Sequence, residues 1–500
     1  MNLMMLLEMA VSGFGDREAV RSAGDALTYE QLFAAAGAAA ETIAASCCAN
    51  AALLDVNSLA VPVALFASAW AGRPFVPLNY RLTDAELAAL AERIAPSLLI
   101  AAPERASALA ALPGAAVRER AGWLAAARGE PVREPGWPME GDDIAILLFT
   151  SGTTGAPKAA VIRHRHLVSY VLGSVEFGAA GEDETALVSV PPYHIAGMAA
   201  IASSVYAGRR IVQLPSFSAE SWIETARRER ATHAFVVPTM LARIVDTLDA
   251  HGGEILPHLR AISYGGGKMP LAVIERAMKL LPEAAFTNAY GLTETSSTIA
   301  VLGPEDHRAA AASGDPVVRQ RLASVGRPLP SVEVEIRDAR GRRLGAGQHG
   351  EVFVRGEQVS GEYLGRDSTI DAGGWFPTRD GGHLDEAGYL FLDGRIDDVI
   401  VRGGENMSPG EIEEVLLAHD AVADCAVVGV PDEQWGEAVA AAVVLALGRE
   451  ASAEALQQWV RERLRSSRTP QRIVFREELP YNETGKLLRR RVKAELIEEA

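Results

Sequence analysis

Thr150-Ser151-Gly152-Thr153-Thr154-Gly155-Ala156-Pro157-Lys158 follows the apolar run 144–149, so a buried strand hands directly into a loop of glycines and small hydroxyl residues. Such a loop is suited to phosphate. Gly152 and Gly155 let the backbone approach an anion closely, the hydroxyls of Thr150, Ser151, Thr153 and Thr154 donate to phosphoryl oxygens, and Lys158 adds a positive charge. The spacing differs from GxxxxGK[ST], because Pro157 precedes Lys158 and Ala159 follows it, which argues against a P-loop kinase or GTPase. Taken alone, the stretch has the same composition as an ordinary surface turn.

Working outward, helix-like runs at 29–45 and 84–94 alternate with short apolar runs at 75–77 and 97–101. The rhythm returns downstream, with apolar strands at 186–190, 210–214, 233–237 and 261–264 separated by helical segments at 219–230 and 239–251. Strands alternating with helices imply largely parallel sheets, so the fold class is α/β with two sheet layers. After Gly303 the texture changes. Residues 332–337 and 350–355 alternate apolar with charged, as antiparallel strands with one wet face do, and predict a small β subdomain. Residues 371–394 are dense in glycine and aspartate and read as loops and turns; an α+β pattern begins beyond them. The expected division is a large N-terminal domain, 1–394, and a small mobile C-terminal domain, 395–500.

A chain of 500 residues exceeds one ordinary core, and its balance of 48% hydrophobic and 23% charged residues is that of a globular protein. A formal net charge of −17 disfavours a broad basic face for nucleic acid. Of three cysteines, Cys47 and Cys48 are adjacent, so neither a disulfide framework nor a paired CxxC site can be assembled, which fits a reducing cytoplasm. The apolar start, 1–10, lacks a basic region and carries Glu8; it reads as a packed helix rather than a secretory signal. Glu41 interrupts the alanine-rich stretch 33–54, and no membrane span is expected.

Further strings follow in a fixed order: Ser263-Tyr264-Gly265-Gly266-Gly267; Asn288-Ala289-Tyr290-Gly291-Leu292-Thr293-Glu294-Thr295; Trp375-Phe376-Pro377-Thr378-Arg379-Asp380; Gly394-Arg395-Ile396-Asp397-Asp398; Arg402-Gly403-Gly404-Glu405-Asn406; and Pro480-Tyr481-Asn482-Glu483-Thr484-Gly485-Lys486. With the loop ending in Lys158, this series resembles the adenylate-forming superfamily of acyl-CoA synthetases, adenylation domains and luciferases, from about residue 28 to 492. The resemblance implies that Thr150 to Gly155 and Lys158 hold the phosphates of ATP. Gly265, Gly266, Gly267, Asn288, Ala289, Tyr290, Gly291 and Thr293 would frame the nucleotide, with Tyr290 stacked on adenine. Asp380 would hold the ribose and Arg395 the ribose and phosphate; where Arg379 stands, the family more often has Gly. Glu294 would hold Mg²⁺, Asp397 would be the hinge, and Lys486 would be the catalytic lysine bridging the attacking carboxylate and the α-phosphate. Arg402, Gly403, Gly404 and Trp435 would meet coenzyme A, with the arginines of 461–472 near its phosphates.

The segment Pro192-Tyr193-His194-Ile195-Ala196-Gly197-Met198 resembles the border of the family's acyl pocket, where His194 would gate and orient the substrate carboxylate. Tyr193, His194, Met198, Val236, Thr239, Ser263 and Thr295 are the expected acyl-binding residues. They are uncharged apart from the histidine, which suits an aromatic or medium-chain fatty acid. The implied activity is that of an AMP-forming acid–CoA ligase: a carboxylic acid reacts with ATP to give an acyl-adenylate and pyrophosphate, and the acyl group then passes to CoA. The alternative acceptor is a carrier-protein pantetheine, since Ser467-Arg468-Thr469-Pro470 departs from the family's Tyr-Lys-x-Pro. Amino-acid activation is disfavoured because no aspartate stands near Tyr193. A non-catalytic relative would lack Lys486 or Glu294, and a Rossmann dehydrogenase would need a GxGxxG fingerprint after an early strand. Relatives are often monomers or homodimers, and some carry reversible acetylation at the position of Lys486.

Overall fold

The structure, a computed structural model, describes residues 1–129, 136–150, 157–252, 256–403, 405–481 and 487–499. The chain divides into two compact units, 1–323 with 327–333 and 355–376, and 324–326 with 334–354 and 377–500.

The first unit contains a six-stranded sheet in the order Ala115–Glu119, Ser97–Ala101, Asn50–Leu54, Phe75–Pro77, Ile144–Thr150, Lys158–Arg163. All neighbours are parallel except the last pair. The strands are buried on both faces: Ala51, Leu53, Leu98, Ile100, Ile146 and Leu148 join one core, and Ala52, Leu54, Leu99, Val76, Leu147 and Val161 another. That is why they read as continuous apolar runs rather than alternating ones.

The alanine-rich stretch is packing material. Thr28 caps the helix Tyr29–Ala45 reciprocally with Gln31, a motif that contributes about 1 kcal/mol. Its buried Ala35, Ala36, Ala39 and Ala40 allow the wholly buried helix Ala60–Trp70 to lie close beside it. The expected first helix forms over Met4–Phe14. Among the described residues no helix is long and apolar enough to cross a membrane.

A nine-stranded sheet completes the first unit, in the order Arg327–Pro328, Ser297–Leu302, Ala285–Leu292, Ala261–Gly265, His233–Val236, Thr185–Val188, Arg210–Gln213, Glu18–Ser22, Asp25–Thr28. Its six inner strands, from Ala285–Leu292 to Glu18–Ser22, run parallel, and the edges are antiparallel. Two α/β sheet layers were expected, and two are found.

The second unit holds the greater part of a four-stranded sheet in the order Val332–Arg337, Gly350–Gly356, Phe376–Leu384, Leu390–Arg395. The expectation of loops and turns over 371–394 is corrected here, because most of that stretch is an antiparallel hairpin. Gly382 serves close strand approach, since a Cβ there would lie 2.3 Å from the Phe391 carbonyl oxygen, whereas Gly374 and Gly388, with φ +83° and +81°, do stand in turns. Beyond it, a five-stranded sheet is built on the long pair Val422–Asp432 and Gly436–Leu445, with helices Pro409–Leu417, Ala453–Arg461 and Arg489–Glu498 around it.

Candidate active site

In the first unit, Thr150 and Lys158 sit directly opposite each other at the end of the antiparallel pair, and the Thr150 hydroxyl donates to the Lys158 carbonyl at 3.3 Å. Ser151, Gly152, Thr153, Thr154 and Gly155 lie outside the described residues.

The strand Lys158–Arg163 receives a late segment of the chain. Val161 N–H donates to the Glu362 carbonyl at 3.0 Å, Leu364 N–H donates to the Ala159 carbonyl at 2.9 Å, and Arg163 grips the Glu362 carboxylate at 2.9 and 2.7 Å. This pairing delivers Tyr363. Its hydroxyl donates to the Glu294 carboxylate, and the Lys158 ammonium lies 5.5 Å from the centre of its ring. Lys158 and Glu294, 136 positions apart in sequence, thus share one aromatic neighbour that sequence reading did not single out. Only the presence of an aromatic residue at 363 was visible in advance.

Glu294 stands on a single 3₁₀ turn, Thr293–Thr295, locked from beneath. The Thr295 hydroxyl accepts from Leu292 N–H at 2.9 Å and lies 2.8 Å from the Ser297 carbonyl, while Ser360 N–H donates to the Glu294 carbonyl at 2.8 Å. Gln358 binds the carbonyls of Thr295 and Thr298 at 3.1 and 2.8 Å. The partly exposed carboxylate is a hard oxygen donor of the kind Mg²⁺ prefers, held in one orientation by its tyrosine.

The strands Ala261–Gly265 and Ala285–Leu292 lead towards this turn, side by side and in register. They sort their side chains by period two: Ala261, Ser263, Thr287 and Ala289 face a cavity of about 440 Å³, whereas Ile262, Tyr264 and Phe286 enter the core. Gly265 is required by the closeness of the neighbouring strand, since a Cβ there would sit 2.2 Å from the Ala289 carbonyl oxygen. Asn288 and Tyr290 are buried on the opposite face from Ala289, and Gly266 and Gly267 continue beyond the strand end.

The cavity is lined largely by small residues, among them Gly173, Ala186, Ser189, Ala196, Gly197, Ala200 and Ser203. Of the seven expected acyl-binding residues, Ser263 lines it. Met198, Val236 and Thr295 are fully buried elsewhere, and Tyr193 packs on Tyr80 and His194 at ring separations of 5.5 and 4.6 Å. Thr239 lies in the helix Pro238–Ala250, away from the cavity lining. At another part of the lining, Arg209 is committed to Glu184 at 2.8 and 3.0 Å. Burial and the Arg209 charge hold His233 down to about 4, so it is neutral.

His194 caps the helix Ile195–Ala207 with its backbone, and its Nε2 is buried without a hydrogen-bond partner. Burial, aided by the Arg81 charge, lowers its pKa to about 4. A neutral imidazole with an uncommitted nitrogen can orient a polar substrate atom without adding a fixed charge.

In the second unit, Asp380 and Arg395 are cross-strand partners, and the guanidinium binds the Asp380 carboxylate at 3.1 Å and the Thr378 carbonyl at 2.9 Å. Arg379 adopts φ +63°, the region that favours glycine, which accounts for the family's glycine at this place. Its guanidinium reaches Asp397 at 2.7 Å.

Arg402 lies over the Trp435 ring at 5.2 Å, and Gly403, with φ +58°, donates its N–H to the Trp435 carbonyl at 2.8 Å. A Cβ on Gly403 would meet the indole at 2.9 Å. Arg402, Gly403 and Trp435 therefore form one surface. Of the arginines in 461–472, Arg468 is bound to Glu405 and Glu411, and Arg472 to the C-terminal carbonyls of Leu496 and Glu499. Gly404 and Lys486 lie outside the described residues; Tyr481 and Leu487 form an isolated antiparallel bridge.

Comparison with known proteins adds the following. A family model described as AMP-binding enzyme matches residues 7–364, and one described as AMP-binding enzyme C-terminal domain matches 411–486. The chain is 34% identical over 491 residues to a fatty acid–[acyl-carrier-protein] ligase of Streptomyces coeruleorubidus, covering 95% of this chain and 92% of that one. It is 33% identical over 483 residues to a feruloyl-CoA synthase of an Amycolatopsis species, covering 95% of each. Among solved structures, o-succinylbenzoate coenzyme A synthetase of Bacillus subtilis in complex with ATP and magnesium ion is similar with a TM-score of 0.84 and 29% identity, over 98% of this chain and 99% of that one.

Proposed function

Because the chain belongs to the AMP-binding enzyme family, we propose that it is an AMP-forming acid–CoA ligase acting on an aromatic or medium-chain monocarboxylic acid. The observation that carries this reading is the match of both family regions, 7–364 and 411–486, within one chain.

In the first half-reaction a carboxylate oxygen of the acid attacks the α-phosphorus of ATP. The new O–P bond forms as the bond to the β-phosphate bridging oxygen breaks, and pyrophosphate leaves. Lys158 and the loop 150–155 hold the phosphates, Asp380 and Arg395 the ribose, and the strand end around Tyr290 the adenine. Glu294 would hold Mg²⁺, which when bound would supply positive charge to offset that of the triphosphate. Lys486 offsets the repulsion between the two approaching anions, an effect greatest in the transition state. In the second half-reaction the CoA sulfur attacks the acyl carbon, the thioester forms, and AMP departs with the electron pair of the anhydride bond. Arg402, Gly403, Gly404 and Trp435 are assigned to CoA and Asp397 to the hinge, with 395–500 as the part that moves between half-reactions. The proposed setting is the cytoplasm, as a monomer or homodimer.

Support for the substrate class comes from the cavity. Its volume is within the range of small-molecule sites, its lining is small and uncharged apart from the paired Arg209, and among the described lining residues no unpaired cation awaits a second carboxylate. A second reading, loading onto a carrier-protein pantetheine, is favoured by the acyl-carrier-protein ligase among the relatives.

Pyrophosphate release should be measured across a panel of aromatic and medium-chain acids, with CoA, with a pantetheinylated carrier protein, and with neither. Acid-dependent pyrophosphate and AMP, with thioester formed only when CoA is supplied, is the expected result. Thioester on the carrier alone would establish the second reading, and no AMP with any acid would defeat both.

A further inference from the structure

We propose that His349, His383 and Asp393 form a binding site for a divalent transition metal, Zn²⁺ by the chemistry of its donors, independent of the ligase reading above. His349 immediately precedes the strand Gly350–Gly356, His383 lies near the end of Phe376–Leu384 and Asp393 within Leu390–Arg395, three neighbouring strands of the four-stranded sheet, and one ligand atom from each lies within 4.8 Å of the other two. His349 Nδ1 is 2.7 Å from one Asp393 carboxylate oxygen and His383 Nδ1 is 4.0 Å from the other. The two imidazoles lie 4.2 Å apart, centre to centre.

Three features mark this as more than a chance meeting of polar side chains. The first is the backbone. Gly382 pairs with Leu392 and Gly381 with Gly394, so Asp393 is the extra residue of a β-bulge, the device by which a strand re-aims a side chain. The second is an unanswered donor set: His383 Nδ1 is buried, has no hydrogen-bond partner and faces Asp393. An idle buried nitrogen costs free energy that a ligand restores. The third is ring placement. His383 stacks on Phe391, directly opposite it, at 5.1 Å and 7°, which fixes the ring plane.

Two imidazoles and one carboxylate leave a fourth tetrahedral position to water, a donor set typical of Zn²⁺ rather than Mg²⁺. Bonds of about 2.0–2.1 Å place tetrahedral ligands about 3.4 Å apart, so the cluster must contract by about 1.4 Å at its widest. His349 can supply that movement, because its side chain is 60% exposed. An occupied site would tie three strand ends together next to Gly394 and Arg395, and the Asp393 carbonyl already accepts from Ser408 at the start of the helix Pro409–Leu417.

The test titrates tag-free, chelator-stripped full-length protein with Co²⁺ in excess Mg²⁺, which keeps oxygen-donor sites filled, and follows the visible d–d bands and their displacement by Zn²⁺. One equivalent of Co²⁺ with low-symmetry bands is expected. His383→Ala and His349→Ala should each weaken binding by at least about 100-fold, the upper end of what losing a mere outer-shell partner costs. Circular dichroism verifies folding, and exposed His349 supplies a variant that leaves the core untouched. Absence of bands at stoichiometric Co²⁺, or equal binding by the folded His349→Ala protein, overturns the proposal.

Discussion

The Tyr363 hydroxyl donates a hydrogen bond to the Glu294 carboxylate while the face of the same ring lies 5.5 Å from the Lys158 ammonium. One side chain thereby orients the proposed Mg²⁺ ligand and neighbours the lysine of the proposed phosphate loop. It is held by the backbone pairing of 362–364 with the strand Lys158–Arg163, not by the loop it serves.

Tyr363→Phe keeps the ring and deletes the donor. A hydrogen bond to a charged group is worth about 1.5–3 kcal/mol, so the adenylation rate should fall by about 10–100-fold and require more Mg²⁺. Pyrophosphate release at varied Mg²⁺ checks this; unchanged activity would mean that Glu294 is oriented without the tyrosine.

Lys486→Ala should nearly abolish adenylate formation and leave transfer from a preformed acyl-adenylate to CoA largely intact. Single-turnover measurements of the two half-reactions separate the effects, and equal loss of both contradicts the assigned role.

Ala200→Phe places a large ring at the cavity wall. The ratio of kcat/KM for bulky acids to that for two- or three-carbon acids should drop by about 10–200-fold, as pocket contacts of this size allow. Uniform loss for all acids would move the acyl group elsewhere.

His164 and His166 are buried, and each accepts a backbone N–H at Nδ1, from Leu3 at 3.2 Å and from Arg163 at 3.3 Å. Burial holds both down to about 4. Between that value and the ordinary 6.5 the unfolded chain binds more protons than the folded one. Stability is therefore full above pH 6.5 and is lost as pH falls towards 4, by up to about 3 kcal/mol per ring. Thermal melts across this range should show the decline, and His164→Asn, which keeps an acceptor that does not titrate, should flatten it.

Arg379→Gly removes a left-handed non-glycine residue, a strain of about 1 kcal/mol, and a largely exposed ion pair to Asp397 worth less than that. The melting temperature should rise slightly, and freeing Asp397 should alter the rate of transfer to CoA more than that of adenylation. A lower melting temperature would show that the ion pair outweighs the strain.

Much of the fold was legible because it follows from local periodicity. The helix Tyr29–Ala45 and the strands Phe75–Pro77, Ser97–Ala101 and Val332–Arg337 form where the apolar pattern put them. The hairpin between Phe376 and Arg395 was missed because glycine and aspartate usually punctuate a chain, whereas here glycine permits close strand approach. The acyl-binding residues around His194 were named from a family resemblance, and of them Ser263 lines the cavity. Small residues such as Ala186, Ala200 and Ser203 carry no chemical signal until the strands and helices that bear them are packed.

The alternation of strands and helices along the chain, the chemistry of the loop ending in Lys158 and the presence of Glu294 and Lys486 were determined by the sequence itself, since each is a property of a few consecutive residues. Tertiary structure alone decided that Tyr363 meets Glu294, that Arg379 meets Asp397, and that His349, His383 and Asp393 share one end of a sheet. Those meetings depend on the register between paired strands, which no single stretch of sequence states, and a shift of one residue would turn a strand's side chains to the opposite face.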